Sequence, residues 1–478
     1  MAKFTPMMEQ YMSIKEQYTD CILLYRLGDF YEMFFDDALT ASKVLEIALT
    51  GRDCGQEERA PMCGVPYHAV ESYISKLIES GYKVAICEQV EDPATAKGIV
   101  KRDVVRVITP GTVIDQSMLD EKTNNYLCCV YLNSGFGLSY VDVSTGDLFL
   151  TENISLNDFD VHNKNKYSLL AEEIDKINPS EIISNSVTEN ERLDSKITLI
   201  SDILSLSEYK KIILDHFNVV SLDSFGISDN INAIISLGML INYLNQTQKT
   251  SLEHINKLHY YSVGEFLQID SSTRKNLELI ETVRGKKGAG TLYHVIDYTM
   301  TSMGGRQLKK WIEEPLKSLS GINSRLDSVE ELFNNVMISN NIKECLKCVY
   351  DIERLISRIV YGNCNGRDLT ALKQSVSQIP DLKSELSNLE SKMLKSIYDS
   401  LDMLQDIYDL IDKSIVEEPP ISVKEGGIIK EGFNKELDEI KEITINGKTW
   451  ISSLQNTERE KTGIKNLKIG YTRIFGYY

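Results

Sequence analysis

The chain has 478 residues, with 42% apolar and 26% charged side chains and a net charge of −18. Those are globular values, so wholesale disorder is excluded, and the length suits about three domains with cores of their own. The acidic balance excludes a polycation that coats nucleic acid or membrane, so any DNA contact must come from a local basic patch.

The N-terminus has no apolar leader, and the longest nearly apolar stretch, Ala233 to Leu244, is too short to span a bilayer. Nine scattered cysteines, an odd count, fit reduced thiols in a cytoplasm. Thr5-Pro6 reads as a helix start continuing through Tyr18. Ile22–Leu27 and Phe30–Phe34 read as strands broken by Gly28-Asp29, and Asp36-Asp37 as the cap of a helix reaching Leu49. Pro61–Pro66 reads as a turn-rich loop, Ala69–Glu79 as a helix, and Val84–Cys87 and Val104–Ile108 as strands.

Beyond Asn125, strands are expected at Tyr126–Leu132, Leu138–Val143, Asp147–Leu150 and Glu181–Ser184, with a helix at Leu169–Ile177 and a polar loop over Asn153–Asn165. After Glu265 the spacing turns helical: Leu277–Val283, Met303–Ile312, Leu326–Met337, Ile352–Val360, Leu369–Ser377 and one long helix, Leu382–Ile411. Another begins over Phe433–Leu454. Leu467–Tyr478 alternates as a strand that stops without a partner, which suggests a chain cut from something longer.

Several constellations invite chemistry. Gly447-Lys448-Thr449 has the ending of a phosphate loop, but Glu442 stands where its first glycine belongs, and the glycine-rich run 284–290 follows no strand. Cys345 and Cys348 form one CxxC without a second pair to complete a zinc site, and packing is the simpler account. Asp142 and Asp147 sit in a hairpin context used by metal-dependent nucleases, yet they flank a Ser-Thr-Gly turn where Asp is common for backbone reasons.

The strongest local signal is Gly28-Asp29-Phe30-Tyr31-Glu32-Met33-Phe34. On an extended strand Phe30 and Glu32 share a face. If that face is core, Glu32 needs a partner; if it is exposed, a protruding ring stands beside a carboxylate, a pairing suited to wedging between bases and hydrogen-bonding one of them.

This motif resembles the mismatch-reading motif of the MutS family of bacterial DNA mismatch repair proteins. The likeness continues through Pro61-Met62-Cys63-Gly64-Val65-Pro66-Tyr67-His68-Ala69-Val70, Ile86-Cys87-Glu88-Gln89-Val90, Asp92-Pro93-Ala94 and Val105-Arg106-Val107-Ile108-Thr109-Pro110-Gly111-Thr112. Further on it runs through Asp351-Ile352-Glu353-Arg354-Leu355, Gly366-Arg367-Asp368-Leu369, Glu458-Arg459-Glu460-Lys461-Thr462-Gly463 and Phe475-Gly476-Tyr477-Tyr478.

The resemblance implies a multidomain α/β plus all-α chain: a mixed α/β mismatch-binding domain (1–112), an RNase H-like connector (113–252), a helical core and lever (253–464) and the start of a clamp (465–478). It implies binding of mispaired or looped duplex DNA, with Phe30 stacking on a mispaired base and Glu32 hydrogen-bonding it. Arg52 matches a family position near the DNA backbone. Lys97, Lys101, Arg102 and Arg106, a net of +3 against Asp103, are further backbone candidates, although residues 1–110 hold 12 Lys/Arg against 17 Asp/Glu.

The family's weak ATPase, with its ATP and magnesium, lies in a segment without counterpart here. This chain is therefore expected to carry no cofactor or metal and no catalysis of its own, and the family's homodimer is in doubt for it. A MutL-type repair partner is expected on the connector, and a cytoplasmic, nucleoid-associated location. The rival reading is a partner-docking scaffold with little DNA affinity.

Overall fold

The computed structural model describes residues 4–91, 98–133, 135–153, 168–187, 197–286, 288–472 and 476–478. The expected loop over Asn153–Asn165 thus lies, after its first residue, outside the described residues.

Helix α1 (Pro6–Lys15) starts behind Thr5 and stops short of the Tyr18 expected. Strands β1 (Cys21–Leu27) and β2 (Phe30–Phe34) form a hairpin; α2 (Phe35–Leu45) and strand β3 (Thr50–Arg52) follow. Asp36 and Asp37 lie within the first turn of α2, not as its cap, and the helix stops at Leu45, with Glu46 in the left-handed region, rather than at Leu49. Asp37 is buried because it accepts bonds from the Leu23 amide and the Tyr11 hydroxyl and pairs with Lys15 at 2.8 Å.

Strand β4 (Ala60–Pro66) corrects the expected loop. Its two prolines suggested a break, but they sit near the strand's ends, and β4 pairs on both sides, with Phe34 and Thr50 both facing Met62. Helix α3 (Val70–Glu79) and strands β5 (Lys83–Gln89) and β6 (Arg102–Ile108) complete a six-stranded sheet of order β3-β4-β2-β1-β5-β6. One face packs Tyr31 and Met33 against α2 and α3; the other packs Leu23, Tyr25 and Phe34 against α1.

The second sheet contains β7 (Tyr126–Leu132), β8 (Phe136–Asp142), β9 (Asp147–Asn153), β10 (Glu181–Ser184), β11 (Ile197–Leu199) and β12 (Lys257–Tyr260). Its order is β11-β10-β7-β8-β9-β12, an antiparallel meander flanked by parallel strands on both sides, which agrees with the RNase H-like connector that the resemblance implies. Helix α4 (Ser168–Ile177) covers one face, and α5 (Leu206–Phe217) and α6 (Ile231–Gln248) the other.

The helical region runs α7 (Ser271–Asn276), α8 (Leu292–Ile296), α9 (Ser302–Glu313), α10 (Leu319–Asn334), α11 (Val336–Lys347), α12 (Ile352–Val360), α13 (Gly366–Val376), α14 (Ile379–Leu386), α15 (Lys392–Ser400), α16 (Gln405–Ser414) and α17 (Lys435–Thr462). The expected helix at Leu277–Val283 is absent; α7 ends before it, and Glu278 takes a positive φ. The long helix expected over Leu382–Ile411 is three helices. Its periodic leucines are satisfied by turning: Leu386, Leu389 and Leu394 form one small core with Leu332 and Ile342.

Two compact units emerge: Met1–Cys364 with Asp381–Leu401, and Asn365–Pro380 with Asp402–Tyr478. In the second, Asn365 and Asp368 cap α13 reciprocally, so the Gly-Arg-Asp motif is a helix start, and Lys373 pairs with Asp412 at 3.1 Å. The expected final strand is a short hairpin of β13 (Tyr471–Thr472) and β14 (Gly476–Tyr477); Phe475 lies outside the described residues.

Within the first unit, residues 109–125 are held on every side. Glu181 accepts from the Thr109 hydroxyl and the Gly111 amide, and Arg106 donates to the Thr112 carbonyl at 3.1 Å. Arg306 forks onto Asp351 at 2.7 and 2.8 Å and donates to the Glu121 carbonyl. Arg354, 2% exposed, donates to the carbonyls of Asp120 and Thr123.

Candidate nucleic-acid interface

The hairpin turn between β1 and β2 has two residues, Gly28 and Asp29, with Leu27 facing Phe30. Gly28 has φ +60°, the positive value a type II′ turn demands at its first central position. Along β2 the faces alternate: Tyr31 and Met33 are buried, while Phe30 and Glu32 share the face that α1 covers further along, over Phe34. At the turn that cover is missing, and Phe30 stands 46% exposed.

Glu32 is half-buried and pairs with Arg52 at 2.5 Å. Gly64 of β4 faces it in register. Phe30, Glu32 and Arg52 therefore form one patch, in which an exposed ring neighbours a neutralised ion pair.

The described members of the basic run, Lys101, Arg102 and Arg106, differ in their surroundings. Lys101 is exposed. Arg102 is 8% exposed, because its Nε donates to the Arg26 carbonyl at 2.7 Å and its guanidinium also bonds Val100 and Gln10. Arg106 bonds Gln248 and Thr112 and lies 5.4 Å from the Tyr361 ring; burial lowers its pKa. Both guanidiniums are thus engaged by groups of the chain itself. Strand alternation could not reveal the bonds to Gln10, Arg26 and Gln248, which are remote in sequence. Lys97 lies outside the described residues.

Comparison with known proteins settles the relationship. The family model described as MutS domain I matches residues 5–117, MutS domain II matches 125–256 and MutS domain III matches 272–468. Relatives named DNA mismatch repair protein MutS from Acetivibrio thermocellus, Ruminiclostridium cellulolyticum and Alkaliphilus oremlandii are 50%, 52% and 51% identical over 489, 489 and 491 residues. The chain belongs to the MutS family. Each of these alignments covers 100% of the chain and 55% of the relative, so the chain spans about half the length of the curated relatives it matches.

In this MutS-family chain the rival sites resolve into structure. Asp142 is fully buried and accepts from Asn124, the Asn125 amide, and the amide and hydroxyl of Ser144; it ties a turn together and faces Asp147 across β8 and β9. Gly447 lies inside α17, where a phosphate-cradling loop has no place. Among the described residues no group of three or more His, Cys, Asp or Glu could hold a metal ion, and no helix is long and apolar enough to cross a membrane.

Sequence reasoning missed the supports beneath the turn, Arg26 and Tyr67. The guanidinium of Arg26 lies 3.9 Å from the Tyr67 ring centroid. One signal was available: Arg26 is the only charged residue in the strand Cys21–Leu27.

Proposed function

We propose that this chain recognises mispaired or looped duplex DNA, with Phe30 as the wedge and Glu32 as the group that hydrogen-bonds the disturbed base. One observation carries the reading: a large aromatic is left exposed at a hairpin tip, on the same face where the next aromatic, Phe34, is fully buried. Inserting a ring into a base step costs a few kcal/mol of unstacking, and least where pairing is already defective. Such a wedge discriminates by deformability and needs no sequence code.

Arg52 completes the local chemistry. Paired with Glu32, it holds the carboxylate toward the patch and screens it from phosphates; released, it is a phosphate contact. Coupling of recognition to a weak ATPase, and docking of a MutL-type partner on the connector, belong to the same proposal for the longer family protein.

The test is fluorescence anisotropy with a duplex carrying one mismatch and its fully paired counterpart. The chain is expected to favour the mismatch, and Phe30→Ala to bring the two affinities within about twofold, the aromatic contact being worth more than 1 kcal/mol. An unchanged preference in Phe30→Ala rejects the wedge. Equal, feeble affinity in the unaltered chain would leave the docking scaffold as the better account.

A further inference from the structure

We propose that Arg26 is a positioning residue for the Phe30 wedge: it braces the hairpin turn so that the ring can push into a base step without the turn giving way. The proposal rests on the wedge reading above. Arg26 faces Tyr31 across β1 and β2, on the sheet face opposite Phe30, and its side chain is only 17% exposed. From there it ties three strand ends together.

Its Nε donates to the Gly28 carbonyl at 2.5 Å. Its guanidinium lies flat enough on Tyr67, just beyond β4, to approach the ring centroid to 3.9 Å, and it stands 5.3 Å from the Tyr31 ring. The Tyr67 amide in turn donates to the Asp29 carbonyl at 3.0 Å. Both carbonyls of the two-residue turn are therefore held, one by Arg26 and the other by the residue on which Arg26 stacks. At the end of β5, Glu88 closes the brace: its Oε1 lies 3.6 Å from Arg26 Nη1 and accepts the Tyr31 hydroxyl.

A wedge works only if it is stiffer than what it enters. The energy needed to part a base step is comparable to that of a few hydrogen bonds, so a hairpin tip with loose carbonyls would bend before the bases parted. Arginine suits the task because one planar group can donate sideways to a carbonyl while stacking on a ring, which a lysine ammonium cannot do. The brace also gives a physical role to Tyr67 and Glu88, which lie in two stretches of the family resemblance.

The experiment compares Arg26→Gln, Arg26→Lys, Tyr67→Leu and Phe30→Ala in the full chain. It reads the ratio of matched to mismatched dissociation constants and the thermal unfolding midpoint. Arg26→Gln is expected to lower the ratio by about tenfold, the equivalent of one charge-assisted hydrogen bond, with matched-duplex affinity changed by less than about twofold. Arg26→Lys should fall between, because it keeps the charge near Glu88 but loses the fork. Tyr67→Leu, which keeps the backbone bond and removes the stack, should move the ratio the same way and decides the matter if Arg26→Gln unfolds at assay temperature.

Retained ratios in Arg26→Gln and Tyr67→Leu, beside a lost ratio in Phe30→Ala, overturn the brace and leave the wedge standing. Equal weakening on both duplexes marks a general structural role and also overturns it. A retained ratio in Phe30→Ala overturns the wedge and the brace together.

Discussion

In the proposed reading, Glu32 and Arg52 are a pair whose members answer to different parts of a duplex. A carboxylate close to phosphates repels them, and its 2.5 Å contact with Arg52 both tempers that repulsion and occupies the cation. Glu32→Gln removes the repulsion and frees Arg52, so matched-duplex affinity should rise by about threefold to tenfold while the mismatch preference shrinks; anisotropy on the two duplexes measures both. Unchanged matched-duplex affinity would contradict the repulsion argument. Lys101 is exposed and has a simpler expected role. Lys101→Ala should flatten the slope of log affinity against log salt by roughly 1, leaving the mismatch ratio intact, as for any phosphate contact without base readout.

Individual strands and helices show where local pattern was a sufficient guide. The alternation in Phe30–Phe34 was legible because the period of two is intrinsic to a strand; which of its faces lay open was not, since that depends on where α1 ends over the sheet. β4 was hidden because Pro61 and Pro66 mimic a loop; the register shows why a strand tolerates them, since Pro61 faces only β3 and Pro66 only β2, each where the other side of β4 has no partner strand. The helix expected over Leu382–Ile411 failed for the opposite reason: an apolar period of about 3.6 survives a chain that turns twice, because the leucines around the breaks still meet in one cluster. The charges of Arg102 and Arg106 are visible in the sequence; the bonds that engage them, to Arg26, Gln248 and Thr112, are not.

The Thr-Pro-Gly-Thr turn after β6 makes a prediction of its own. A Cβ on Gly111 would lie 2.9 Å from the Leu127 Cβ and 3.0 Å from the Glu181 Cβ, so Gly111→Ala must shift the turn away from β7 and β10 or displace those strands. A cost of roughly 1–3 kcal/mol is expected from such overpacking, read as a lowered denaturant midpoint.

Across the first unit, the segment 109–125 joins the two sheets and the helices α9 and α12 by buried polar contacts, and it places Val113 in the core of the first sheet and Ile114 in that of the second. The Asp-Ile-Glu-Arg-Leu motif is explained by this: Asp351 and Glu353 hold Arg306, and Arg354 reaches two carbonyls of the segment. Arg306→Met should cost roughly 3–5 kcal/mol, since it leaves Asp351, whose side chain is only 10% exposed, without its bidentate partner.

Asp297, paired with Lys122 at 2.7 Å, adds a pH dependence. Burial pushes its carboxyl up, but the bonds from Lys122 and Thr299 outweigh that and hold it below the ordinary 3.8. Its folded pKa being depressed, its contribution is complete above pH 3.8 and lost as pH falls through the folded value. Asp297→Asn should therefore remove part of the acid sensitivity of the unfolding midpoint below that pH.

The most direct test of the wedge uses 2-aminopurine placed beside a mismatch, whose fluorescence rises when its stack opens. Binding of the chain is predicted to raise that signal on the mismatched duplex and leave it unchanged on the matched one, with the rise abolished in Phe30→Ala. An equal rise with Phe30→Ala bound at saturation would contradict the account.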